Sequence, residues 1–264
     1  MKRETYILSA VIGDVVGSRF EFNNIKTKDF ELVTDESTFT DDTVLTMAVL
    51  DWCINSKHPY NYSERASYLQ KWARKYPNSG YGGTFIHWKD LDNPKPYNSC
   101  GNGSAMRISP VGFLQSNEED VIKYSKLITE VTHNHPEGIK GAECTARMIF
   151  KALNNASKDE LYSLAISYYP EIKNLNYEDL KRNYVHGLEI CQLTVPQAIY
   201  CFLISDSFID TLRTTISIGG DSDTLAAISC PIALAYYKEI EQDLVDRVKA
   251  KLPDEMILLI ESVN

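Results

Sequence analysis

The chain has 264 residues, with 27 Lys+Arg against 36 Asp+Glu. The resulting net charge of −9 argues against a nonspecific duplex-nucleic-acid binder, which needs a basic surface. Hydrophobic residues at 44% and charged residues at 24% make a globular composition and exclude a disordered tail, a collagen-like chain and a mucin-like stalk.

Lys2 and Arg3 precede the apolar run Ile7-Leu8-Ser9-Ala10-Val11-Ile12, which meets Gly13-Asp14 rather than a cleavage site. The run predicts a buried helix over 5–16. Residues 30–33 read as a short extended piece. Residues 43–56 are apolar on nearly all sides and predict a second buried helix. The pairs Asn61/Glu64, Ser116/Glu119 and Ser157/Glu160 match a capping pattern. Helices are expected near 62–75, 118–130, 137–153, 158–168, 177–190, 196–217 (open to a break) and 238–250. Residues 77–104 form an irregular stretch rich in Gly, Asn, Pro and aromatics, and a loop that long inside a compact domain is usually functional. A third buried helix is expected over 223–237, kinked at Pro231.

The periodicity therefore predicts one all-α domain, 1–264, around a central bundle. The longest apolar stretches are about ten residues, short of the roughly 20 a membrane span needs, so no membrane contact is expected. Cysteines 53, 100, 144, 191, 201 and 230 form no C-x-x-C pair. They read as reduced core residues of a cytoplasmic protein.

Two acidic clusters stand just before buried helices: Thr40-Asp41-Asp42-Thr43 and Gly219-Gly220-Asp221-Ser222-Asp223-Thr224. Either cluster alone reads as a helix cap. A helix needs one cap, however, and each cluster supplies two carboxylates with flanking hydroxyls. Like charges about 4 Å apart at an effective dielectric of 20 repel by roughly 4 kcal/mol. Divalent cations relieve that repulsion, and hard oxygen ligands indicate Mg²⁺, Mn²⁺ or Ca²⁺ rather than zinc. A two-metal site is consistent with the pattern.

Three further segments carry polar chemistry. Gly13 to Glu21 ends the first helix at Gly17-Ser18 and leaves Glu21 in the following loop. Ser99 to Arg107 contains Gly101-Asn102-Gly103-Ser104-Ala105-Met106, whose backbone N–H groups are suited to phosphate. Arg107 serves either a phosphate or a buried ion pair. Thr132-His133-Asn134-His135-Pro136 lacks the further ligands zinc needs, and His133 reads as a core histidine or a hydrogen-bonding partner of a polar ligand.

In this order the five segments resemble the ADP-ribosylglycohydrolase family, the group that includes dinitrogenase-reductase-activating glycohydrolases. The matching pattern is G-D-x-x-G-x-x-x-E, T-D-D-T, G-N-G-x-A-M-R, T-H-x-H-P and G-G-D-x-D-T. The resemblance implies an all-α, orthogonal helical bundle with two divalent ions, Mg²⁺ or Mn²⁺. It implies metal ligands at Thr40, Asp41, Asp42, Asp221, Asp223 and Thr224, with Glu21 beside them. Glu21 and the four aspartates are the expected catalytic residues. Gly101, Asn102, Gly103, Ser104, Met106 and His133 are the expected substrate-binding residues. The implied reaction is hydrolysis of the glycosidic bond between ADP-ribose and an acceptor, such as an arginine of an ADP-ribosylated protein or a small-molecule conjugate. Nucleic acid enters only as an ADP-ribosylated acceptor. Tyr81, Phe85, Trp88 and Tyr97 are candidates for stacking on adenine. Val15-Val16 replace smaller residues common in the family, and the Tyr76–Cys100 loop carries no family residue. The alternatives are a non-catalytic ADP-ribose-binding or regulatory protein and a nucleotide-diphosphate phosphohydrolase.

Overall fold

A computed structural model describes residues 1–187 and 189–263. Leu188, in the predicted 177–190 helix, and Asn264, at the end of the predicted domain, lie outside the described residues. Among the described residues the fold is all-α, with one isolated β-bridge between Gly101 and Ile190.

The first helix, α1, spans Arg3–Gly17, and a short 3-10 turn follows at Ser18–Phe20. Residues 30–33 form no strand. Arginine side chains take the carbonyls that a partner strand would bind: Arg213 donates to Lys28 and Phe30 at 2.6 and 2.8 Å, Arg19 to Glu31, and Arg247 to Val33. Helix α2 is Asp41–Asn55 and α3 is Tyr62–Lys75. The predicted irregular stretch contains α4, Gly83–Trp88, and ends at α5, Gly103–Met106. Helix α6, Ser109–Leu114, follows at once. These pieces are too short to display a helical period in the sequence.

Helices α7 (Glu118–Thr129), α8 (Pro136–Leu153) and α9 (Lys158–Tyr168) lie within two residues of their predicted bounds. Ser157 and Glu160 form a complete capping box. The cap before α7 is Asn117, not Ser116; it accepts from the Asp120 N–H at 2.9 Å, since Asn caps as well as Ser. The predicted 177–190 helix stops early, as α10, Tyr177–Asn183. The predicted 196–217 helix is two: α11, Cys191–Leu203, and α12, Phe208–Ser217, restarted by the cap Ser207. Helix α13, Ser222–Tyr237, runs through Pro231, and α14 is Gln242–Lys249. A terminal helix, α15, Asp254–Glu261, was not expected; Met256 and Ile260 anchor it in the core.

The described helices share one apolar core. At its centre α1 and α13 touch backbone to backbone. A Cβ on Gly17 would stand 2.5 Å from the Asp223 Cα, and one on Gly13 would overlap the Ala226 carbonyl. Gly13→Ala is therefore expected to push the two helices apart and destabilise the protein by about 1–3 kcal/mol, the usual range for overpacking. Chemical denaturation checks this; unchanged stability would show that the contact tolerates a methyl.

Candidate active site and metal centre

Asp14 lies in the last turns of α1 and is fully buried. Its carboxylate accepts from the Thr40 N–H at 2.9 Å, the Thr40 hydroxyl at 2.8 Å, the Thr43 N–H at 3.0 Å and the Thr43 hydroxyl. These bonds dock the start of α2 against α1. Burial lifts its pKa to about 6 even though all four bonds favour the charged form. Sequence reasoning gave Asp14 no role. The available signal was a lone acid inside the apolar run 11–16.

Thr40 is the N-cap of α2, accepting from the Asp42 N–H at 3.3 Å. The Asp41 N–H donates to the Ser79 carbonyl at 2.6 Å, which brings the following loop over the site. Asp42 takes the Thr224 hydroxyl on Oδ2 at 3.0 Å, a contact between positions 182 apart. Its Oδ1 is buried with no hydrogen-bond partner.

Across the gap, Gly219 and Gly220 adopt φ of +74° and +73°, the left-handed region that glycine enters without strain. Asn24 clamps Gly220 through both backbone groups at 2.7 and 2.8 Å. The Tyr184 ring packs where a Gly220 side chain would stand. This turn delivers Asp221 and Asp223 to the start of α13, beside the end of α1. Glu21 follows the 3-10 turn and meets them there. Oxygens of Glu21, Asp221 and Asp223 lie within 4.8 Å of one another. Glu21, expected beside the ligands, therefore stands within the tightest carboxylate group.

The cluster is electrostatically expensive as it stands. Burial, then the neighbouring carboxylates, hold Asp41, Asp42 and Asp223 well above the usual carboxylate range. Burial and then the Asp221 charge push Glu21 to about 7, opposed by His186 at 3.6 Å. Among the described residues no lysine or arginine pairs with Asp14, Asp41, Asp42, Asp221 or Asp223.

Glu21, Asp41, Asp42, Asp221 and Thr224 line a cavity of about 490 Å³, and Asp14 and Asp223 lie behind its surface. Of the residues expected to bind substrate, Gly101, Asn102, Gly103, Met106 and His133 line the same cavity. Asn102, however, spends its amide on Asp221 at 2.6 Å and Thr194 at 3.2 Å. It orients a carboxylate. The Ser104 side chain turns away from the cavity and donates to the Gly138 carbonyl at 2.8 Å. Of the four expected aromatics, Phe85 and Tyr97 reach the cavity. Tyr81 and Trp88 instead flank Phe85 in a ring stack and bond to the Tyr76 and Lys95 carbonyls. His186 and Glu189 also line the cavity. Sequence reasoning missed them because they sat inside a predicted helix.

An all-helical fold around a carboxylate-walled cavity suits a hydrolase of polar, oxygen-rich substrates. The profile of the ADP-ribosylglycohydrolase family matches residues 5–263. The chain belongs to that family and is an enzyme of the hydrolase class. It is 29% identical to mouse ADP-ribosylhydrolase ARH3 over 77% of this chain and 70% of that protein. Identity to human ADP-ribosylhydrolase ARH3 is 27%, over 88% and 84%. Identity to the ADP-ribosylarginine hydrolase Tri1 of Pseudomonas putida (strain GB-1) is 25%, over 88% and 69%. A solved ADP-ribosylglycohydrolase-related protein complex shares the fold, with a TM-score of 0.74 at 21% identity, over 98% of this chain and 95% of that one.

The pKa directions give a pH dependence. Glu21 and Asp14 bind protons more tightly folded than unfolded. Their stabilising contribution is full below the unfolded carboxylate range and is lost as pH rises through the folded values. Chelator-treated protein should lose stability between about pH 4.5 and about 7, the ordinary and folded values of Glu21. Glu21→Gln should flatten that decline in melting experiments across this range; an unaltered slope would contradict the assignment.

Proposed function

We propose that the protein hydrolyses the glycosidic bond between C1 of the distal ribose of ADP-ribose and an acceptor, reversing ADP-ribosylation. The observation that carries this reading is the cavity itself. The carboxylates Glu21, Asp41, Asp42 and Asp221 and the Gly101–Gly103 loop line the same cavity, which supports the reading. Its volume suits one nucleotide-sized ligand.

The residues fit two divalent ions, Mg²⁺ or Mn²⁺. The donors are hard oxygens, no lysine or arginine among the described residues forms an ion pair with the four aspartates, and Asp42 Oδ1 is buried without a partner. Thr40, Asp41, Asp42, Asp221, Asp223 and Thr224 would hold them, with Glu21 joining Asp221 and Asp223. Bound there, the ions would supply Lewis acidity and a template for ribose hydroxyls and water.

The chain's own groups account for the rest. Glycosidic cleavage builds oxocarbenium character at C1. Glu21 and the four aspartates outweigh two divalent ions by one negative charge, which favours that cation. Glu21, from its place on the cavity wall beside Asp221, is the candidate base for the attacking water. Gly101 and Gly103 line the cavity and would face the diphosphate, and Phe85 and Tyr97, which also line it, would be available to stack on the adenine. Glu21 and Glu189 on the cavity wall suit a cationic guanidinium, which supports arginine as acceptor. The relatives named ADP-ribosylhydrolase and ADP-ribosylarginine hydrolase support the same class of substrate, on a protein or a small-molecule conjugate. No described helix is long and apolar enough to cross a membrane, and the reduced cysteines fit a cytoplasmic setting.

The test is incubation with ADP-ribosyl-arginine and ADP-ribosyl-serine peptides, with Mg²⁺, Mn²⁺ or chelator, and quantification of products by mass spectrometry. ADP-ribose should appear only with metal, and Asp221→Ala should lower its release by at least about 10²-fold. Release of AMP would indicate a phosphohydrolase. Tight ADP-ribose binding without turnover of any conjugate would indicate a binding protein. In melting experiments, Mn²⁺ at about 100 times its Kd should stabilise the wild type by about 2.7 kcal/mol. Asp223→Asn should lose most of that gain; an equal gain would remove Asp223 from the metal centre.

A further inference from the structure

Arg107 is 1% exposed and lines the cavity, yet it makes no ion pair among the described residues. Its Nε and Nη1 have no hydrogen-bond partner, and its Nη2 donates to the Thr132 hydroxyl at 2.8 Å. That hydroxyl lies 2.7 Å from His133 Nδ1. Thr132 is fully buried and His133 nearly so.

Donor and acceptor inventory narrows the direction of this chain to two choices, and acceptor strength favours one of them. A guanidinium donates and never accepts. A threonine hydroxyl has one proton. With one of its lone pairs taken by Arg107, the hydroxyl can give that proton to His133 Nδ1. The Tyr97 phenol also lies beside the hydroxyl, but an imidazole nitrogen is the better acceptor. An Nδ1 that accepts leaves the ring proton on Nε2. The Nε2 edge faces the Gly101–Gly103 loop, 3.2 Å from where a Gly103 Cβ would stand.

We propose that Arg107, through the Thr132 hydroxyl, fixes His133 as the neutral Nε2–H tautomer, so that the ring presents a hydrogen-bond donor to an oxygen of the bound ligand. Arg107 and Thr132 are positioning residues in this scheme. Burial and the adjacent Arg107 charge also hold the His133 pKa well below its ordinary value, which keeps the ring neutral. A neutral donor holds a phosphoryl or hydroxyl oxygen without adding a charge close to the cations proposed for the carboxylate wall. That the ligand is ADP-ribose rests on the proposed function; the tautomer does not.

Nitrogen-15 spectra of the unliganded full chain test the relay, with the His133 signals assigned by their loss in His133→Gln. The expected result is a protonated Nε2, an unprotonated Nδ1, and a slowly exchanging Thr132 hydroxyl proton coupled to Nδ1. A protonated Nδ1, alone or as imidazolium, overturns it. Thr132→Val should weaken ADP-ribose binding about tenfold, and Thr132→Ser, which keeps the hydroxyl, should restore it. An unchanged Kd in Thr132→Val also overturns the relay. If the wild type binds no ADP-ribose, the proposed function fails, and the ring spectrum still decides the tautomer.

Discussion

The contact between α1 and α13 is the constraint on which the site depends. Two glycines on α1 let the backbones meet without side chains between them. Any Cβ on Gly17 would lie against Asp223. The same approach carries the end of α1, and Glu21 just beyond it, to the start of α13. Carboxylates from opposite ends of the chain thus converge because a stretch of backbone has no side chain.

Asp14 plays the matching part for α2. It is a buried acid whose four hydrogen bonds all go to Thr40 and Thr43. An uncompensated buried charge is costly, and these bonds offset part of that cost while fixing where α2 begins. The outcome is a frame of three helices that holds Asp41 and Asp42 opposite Asp221 and Asp223. Thr224 bridges the two sides through Asp42. Such a frame resists the mutual repulsion of its carboxylates. A cation entering it, as proposed, would meet carboxylates already ordered, so little conformational entropy would be lost on binding.

Much of this was legible in the sequence, and the failures have physical causes. Long apolar periods revealed α1, α2 and α13, because a helix buried on all sides must be apolar on all sides. The five polar segments were legible as an ordered set, and the structure brings them around one cavity. Periodicity could not find α4, α5 and α6, which are one or two turns long. It overran α10 into the segment that carries His186 and Glu189, because the composition there does not change where the chain leaves the helix. Side-chain direction was also out of reach: Ser104 belongs to a segment beside the cavity but bonds to Gly138. Asn102 faces the cavity yet holds Asp221. The role of Asp14 needed the neighbouring helix to be in place before it could be seen.

The central claim is that the approach of α1 and α13 assembles a divalent-cation centre from Glu21, Asp221 and Asp223. The most direct measurement is anomalous diffraction from crystals of the protein soaked in Mn²⁺. The account predicts an anomalous peak coordinated by oxygens of those three residues. Full soaking with no peak there, or with Mn²⁺ only at surface carboxylates, would contradict it.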